Sequence, residues 1–163
     1  MTLRLALAAA LLAAGPAAAQ TIRGCDSFET SARNLIDPLS DTVRDYANGA
    51  IRVIGLDTAE PACCSYHVMV IHPLPDEPYP GCTLVSWREN LGFGGLRMGA
   101  TTARYDPAIG LVVSIPASAH AEDGGARGVS LDLTVNQALG TVVAAATGGP
   151  PAPGPQPAPA PGK

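Results

Sequence analysis

The residues best suited to chemistry crowd into one short stretch, CCSYHVM at 63–69. Cys63, His67 and Met69 share parity, so an extended strand points all three to one side, with Cys64 next to the first. Thiolate, imidazole and thioether are donors that suit copper(I) or another soft metal. The spacing matches no established zinc pattern, and the competing expectation is that His67 and Met69 are ordinary strand residues. His72 has the opposite parity and stands apart from the group.

The same cysteines have a second chemistry. Four occur, at Cys25, Cys63, Cys64 and Cys82, and an even number in an exported chain makes disulfides the default, with three pairings open. Suppose Tyr66–His72 and 82–88 pair antiparallel. Cys82 then lies near His72, and Cys63 and Cys64 sit at the far end, roughly 25 Å away at about 3.3 Å per residue. A disulfide needs Cα atoms within roughly 7 Å. That geometry leaves Cys25 for Cys82 and pairs Cys63 with Cys64. A bridge between neighbours closes a strained small ring, so free thiols are the other state open to this pair. An extended PLPDEPYPG loop at 73–81 would instead make the strands parallel and carry Cys82 towards Cys64.

Hydrolysis is the third chemistry to weigh. Asp57, Glu60, His67 and His72 could move protons, and Ser65 could be a nucleophile. No G-x-S-x-G or H-E-x-x-H arrangement accompanies them, and carboxylates beside a turn are usually solvated. LGFGGLRMG at 91–99 superficially resembles a phosphate loop. Arg97 stands where the third glycine belongs, and a phosphate cradle needs a following helix N-terminus. A flexible connection between strands is the expectation there. Trp87 lies in a strand run and reads as core.

These residues need a scaffold and a compartment. Residues 1–19 carry Arg4, an apolar run at 5–14 and the small residues Ala17-Ala18-Ala19, the layout of a cleavable signal peptide with a cut before Gln20. No later run approaches the roughly 18 apolar residues of a membrane helix. Ile22-Arg23-Gly24-Cys25 is a poor lipobox, because Arg23 is charged and the preceding residues are polar. Residues 148–163, GGPPAPGPQPAPAPGK, favour extended polyproline II and read as a disordered spacer tail rich in Pro, Ala and Gly. Residues 20–147 remain for a single domain. The chain is mildly acidic, with a net charge of −4, and has no basic cluster, which argues against nucleic acid as a partner. Aromatic residues make up 4%, leaving little stacking surface for sugars or bases.

The stretch DYANGAIRV at 45–53 decides the fold class. Phe28, Ala32, Leu35, Ile36, Leu39 and Val43 fall at helical spacing, but Asp37-Pro38 cuts that pattern into short pieces. Asn48-Gly49 is the preferred pair for a type I′ turn. A hairpin of 42–47 with 50–56 then faces Asp45 with Arg52, Tyr46 with Ile51 and Val43 with Ile54, an opposite-charge pair and two apolar pairs. Runs at Tyr66–His72 and 82–88, and strands flanking turns at 106–110 and 136–140, extend the pattern. In both turns Asp or Asn opens and glycine closes. The expectation is an all-β domain, a single antiparallel sandwich or small barrel of about eight short strands. A short irregular or helical segment precedes it.

NGAIRV and YDPAIGL resemble stretches in small exported bacterial proteins without an assigned activity. That resemblance covers most of the mature domain and implies no particular function. The leading expectation is a periplasmic or extracellular, non-enzymatic β-domain that binds a protein or cell-wall partner without a cofactor. The alternative is a soft-metal or redox protein acting through Cys63, Cys64, His67 and Met69. The third reading is a small hydrolase.

Overall fold

The computed structural model describes residues 18–121 and 124–148. The expected signal peptide lies outside these residues apart from Ala18 and Ala19, and the expected tail apart from Gly148. Eleven strands are present among the described residues. They are β1 (Ala18–Ala19), β2 (Thr21–Gly24), β3 (Val43–Tyr46), β4 (Ile51–Asp57), β5 (Tyr66–His72) and β6 (Gly81–Ser86). After them come β7 (Gly95–Leu96), β8 (Thr102–Asp106), β9 (Gly110–His120), β10 (Ala126–Asn136) and β11 (Thr141–Gly148).

Two antiparallel sheets result. One runs β2-β6-β5-β4-β3; the other runs β1-β11-β10-β9, with β7 and β8 both pairing along β9. Both sheets keep free ends, so the architecture is an open sandwich and the barrel alternative does not apply. Ala18 and Ala19 pair with Ala146 and Ala145, so a cut before Gln20 would remove β1 from the sheet.

Period-two patterning builds the core. Along β10, Val129, Leu131, Leu133 and Val135 are buried, and Ser130, Asp132 and Thr134 alternate with them on the other face. They meet Ile51, Val53, Val68, Val70 and Val85 from the opposing sheet. Fully burying each such side chain is worth roughly 1.5–3 kcal/mol. A smaller cluster of Ile54, Leu56 and Leu84 packs with Val43, Met69 and Ile71.

The hairpin forms in the expected register, with Val43 opposite Ile54, Asp45 opposite Arg52 and Tyr46 opposite Ile51. Arg52 grips Asp45 through Nε at 2.6 Å and Nη2 at 3.0 Å. Both groups face solvent, so the pair specifies register more than it adds stability. Asn48 and Gly49 take φ of 56° and 88°, the left-handed pair a type I′ turn requires. Ala47 is also left-handed, at φ 51°, so the strands stop at Tyr46 and Ile51 and the connection is longer than a bare two-residue turn.

The helical pattern ahead of it is broken at Pro38 as proline chemistry dictates. Two 3-10 turns, Phe28–Thr30 and Ala32–Asn34, precede a four-residue helix α1, Leu39–Thr42. The turn openers act as expected too: Asp106 accepts from the Ala108 amide at 2.9 Å, and Asn136 from the Leu139 amide at 3.0 Å.

The glycine-rich segment 91–99 is more than a connection between strands, because it contributes β7 and a core residue. Phe93 is fully buried, packs edge-on against Trp87 at 5.9 Å, and exchanges backbone hydrogen bonds with Tyr66. Further along, Gly95 and Leu96 pair with Ser118 and Ala117 of β9. Gly92 serves close backbone packing, against the carbonyls of Cys64 and Tyr66. Trp87 itself is 3% exposed and belongs to the core.

Candidate functional sites: a cysteine-lined cleft and an open sheet edge

Strand register sets the first cysteine pair. Gly24 of β2 stands opposite Thr83 of β6, so the next residue in each direction brings Cys25 beside Cys82, disulfide-bonded with Cα atoms 5.6 Å apart. Cys63 and Cys64 are bonded to each other, and no free cysteine occurs among the described residues. Two disulfides are consistent with an oxidising compartment. Among the described residues no helix is long and apolar enough to cross a membrane.

Long-range backbone pairing then brings a histidine to the second pair. The Tyr66–Phe93 hydrogen bonds fix the start of β5 against the 91–99 segment. The bond from the Gly94 amide to the Ser118 carbonyl, at 2.8 Å, fixes that segment against the end of β9. His120 closes β9 and places Nδ1 3.9 Å from the Cys63 sulfur. The two sulfurs and a His120 ring nitrogen all lie within 4.8 Å of one another. Cys63 and His120 are exposed, and Cys64 is buried.

A cleft of about 360 Å³ opens on the inner side of this pair, lined by Cys63, Cys64, His67, Glu29, Glu60 and Asn90 among others. His67 is 5% exposed and bonds Ser86 Oγ through Nδ1 at 2.8 Å, with Ser86 fully buried. Burial, opposed by the Glu29 carboxylate, holds the His67 imidazole below its ordinary value of 6.5. Glu29 is ion-paired with Arg23. Burial works against its charge, but hydrogen bonds and the Arg23 guanidinium outweigh that and hold the carboxyl below its ordinary range.

The linkage gives a prediction. The folded chain binds the His67 proton less readily than the unfolded chain does. This group therefore costs nothing above pH 6.5 and withdraws stability as the pH falls from there towards the depressed folded value. Glu29 acts in a separate window, because its contribution is present above its ordinary value of 4.5 and is lost as the pH falls through its lower folded value. Melting temperature is expected to drop between about pH 7 and about pH 5, and His67→Gln to flatten that slope. An unchanged slope in thermal scans of the variant would count against the assignment.

The sequence candidates are thus divided. Cys63, Cys64, His67 and Glu60 share the cleft. Met69 packs with Ile54, Leu56 and Leu84. His72 lies at the other end of β5, where Nδ1 meets the Pro73 carbonyl at 3.2 Å and Nε2 meets Thr83 Oγ1 at 3.0 Å. A carbonyl only accepts, so Nδ1 carries the proton and Nε2 accepts from the hydroxyl. Ser65 is buried, and its carbonyl accepts from the Thr58 amide at 3.0 Å. Asp57 accepts from the Ala59 amide at 2.8 Å. Glu29, Ser86 and His120 were not singled out from the sequence. For Ser86 the strand pairing held a signal, since Val68 opposite Val85 sets Ser86 across from His67; for His120 no local signal existed.

A second feature lies on the other sheet. Among the described residues β8 pairs only with β9, through Thr102–Ser114 to Asp106–Gly110. Its residues from Thr102 to Tyr105 are all exposed, so neither face of the strand is covered there. Tyr105 is 68% exposed and Ile109, in the adjoining turn, is 42% exposed. Arg104 and Asp106 lie 3.6 Å apart on the same strand. The chain matches no family model, no curated protein and no solved structure.

Proposed function

We propose that this chain is an exported β-sandwich binding module that docks an extended segment of an envelope protein along β8. The observation that carries the reading is the open edge itself. A strand exposed on both faces offers unpaired backbone groups for strand addition, and Tyr105 with Ile109 supplies apolar anchors beside them. Such edges are normally blunted by charged side chains, proline or a covering element; β8 carries no proline or lysine, and its two charges, Arg104 and Asp106, are paired with each other at one end of the strand. Export is supported by the signal-peptide pattern at 1–19 and by the disulfide content.

The test places a photo-reactive phenylalanine analogue at position 105 in the exported full-length protein, with position 139 as an equally exposed control. Irradiation of cells is expected to give one adduct with a single envelope protein from position 105, lost when Ala103→Lys charges the edge. Adducts from both positions, or from neither, would overturn the reading.

The hydrolase reading has one observation in its favour, the gathering of His67 with Glu29 and Glu60 in a single cleft. The hydroxyl bonded to His67 belongs to Ser86, which is fully buried. An incoming carbonyl has no path to that oxygen, so the arrangement suits nucleophilic attack poorly.

A further inference from the structure

We propose that Cys63, Cys64 and His120 form a redox-gated site for one copper(I) ion, closed while the two cysteines are bonded and opened when they are reduced. The donor set points to the metal. Two thiolates and one imidazole are soft and borderline ligands that select copper(I), and three donors suit its low coordination number. Zinc needs a fourth ligand, from the protein in structural sites or from water in a site of two cysteines and one histidine; copper(I) is complete with the three donors that converge among the described residues.

Distance supports the assignment. A sulfur bound about 2.3 Å and a ring nitrogen bound about 2.0 Å from one metal lie at most roughly 4.3 Å apart. The Cys63 sulfur and His120 Nδ1 are already 3.9 Å apart, and the widest separation in the group is within 4.8 Å. Between Cys63 and His120 the adjustment needed is a fraction of an ångström. The larger movement follows reduction, when the two bonded sulfurs part to a non-bonded separation, and it falls on exposed Cys63 and buried Cys64.

The gate is a balanced exchange. The reductant is a dithiol, either a small molecule or a dithiol protein. One of its thiolates attacks the exposed Cys63 sulfur, the Cys63–Cys64 bond breaks, and Cys64 leaves as a thiolate that takes up a proton. The second thiol of the reductant then attacks the mixed disulfide, releasing Cys63 and leaving the reductant as a disulfide. Two electrons and two protons have moved to the protein. Copper(I) displaces both protons on binding, and neutral His120 adds the third ligand through a ring nitrogen.

The test uses the exported protein reduced mildly with dithiothreitol, freed of it without air, and titrated with copper(I) buffered by a chromogenic chelator. Alkylation and peptide mapping confirm which cysteines opened. The reduced protein is expected to withdraw one equivalent and the oxidised protein none. His120→Ala should weaken uptake at least tenfold, whereas His67→Gln and Met69→Leu should leave it unchanged. Equal uptake by oxidised protein, or wild-type affinity in His120→Ala, would overturn the site. So would loss of uptake in Met69→Leu with its circular dichroism unaltered. Cys63→Ser with Cys64→Ser, treated identically, guards against copper held by an opened Cys25–Cys82 pair: uptake there would also overturn it.

Discussion

Gly92→Ala is expected to destabilise the domain by about 3 kcal/mol, a large share of a marginal total. A Cβ at this position would stand 2.3 Å from the Cys64 carbonyl oxygen and 2.5 Å from that of Tyr66. Both obstacles are backbone, so no side-chain rotation relieves the overlap. The chain must part there, and the reciprocal Tyr66–Phe93 hydrogen bonds and the fully buried Phe93 ring are the contacts that loosen. Those same bonds hold the cysteine pair against the end of β9. The variant should therefore also separate His120 from Cys63. Urea unfolding monitored by Trp87 fluorescence measures the loss as a shift in midpoint at constant slope. Gly24→Ala is the control, because its new Cβ would find only Asp26 Oδ2 at 3.7 Å, an ordinary contact. Equal stability of the two variants would refute the close-approach explanation.

Removing the Cys25–Cys82 bridge should cost slightly more. The two residues are 57 apart in sequence, and restricting a loop of that length in the unfolded chain is worth about 4 kcal/mol in the chain-entropy treatment. Cys25→Ser with Cys82→Ser is expected to lower stability by that order, and to free the segment carrying Glu29 from the cleft. The neighbouring pair supplies the contrast. Cys63 and Cys64 are adjacent, so their bridge encloses no loop and restrains little of the unfolded chain. Cys63→Ser with Cys64→Ser should change stability by less than about 1 kcal/mol. Paired calorimetric scans decide the matter, and a reversed ranking would sink the entropic account.

What the linear chain determined by itself is local. Asn48-Gly49 selects a turn with two left-handed residues, and the Asp45–Arg52 opposition selects the register, because both depend on residues only a few positions apart. The alternation in 129–135 declares one buried face, and Pro38 ends a helical pattern through its own ring and missing amide. The all-β class follows from such signals, since period-two burial and turn chemistry are readable without knowing the partner strand.

Tertiary structure decided the remainder. Two-residue strands such as Ala18–Ala19 and Gly95–Leu96 are too short to carry a period, and exist only because a longer strand offers them free backbone groups. The 91–99 segment looks mobile by composition, yet Gly92 is there so that main chain can lie against main chain. His120 meets Cys63 across a separation of 57 residues, by way of Phe93, Gly94 and Ser118. A side chain's parity fixes which face of its own sheet it occupies. Which end of a second sheet it meets depends on how the two sheets pack, and that is set by the whole buried core rather than by the residues that form the site.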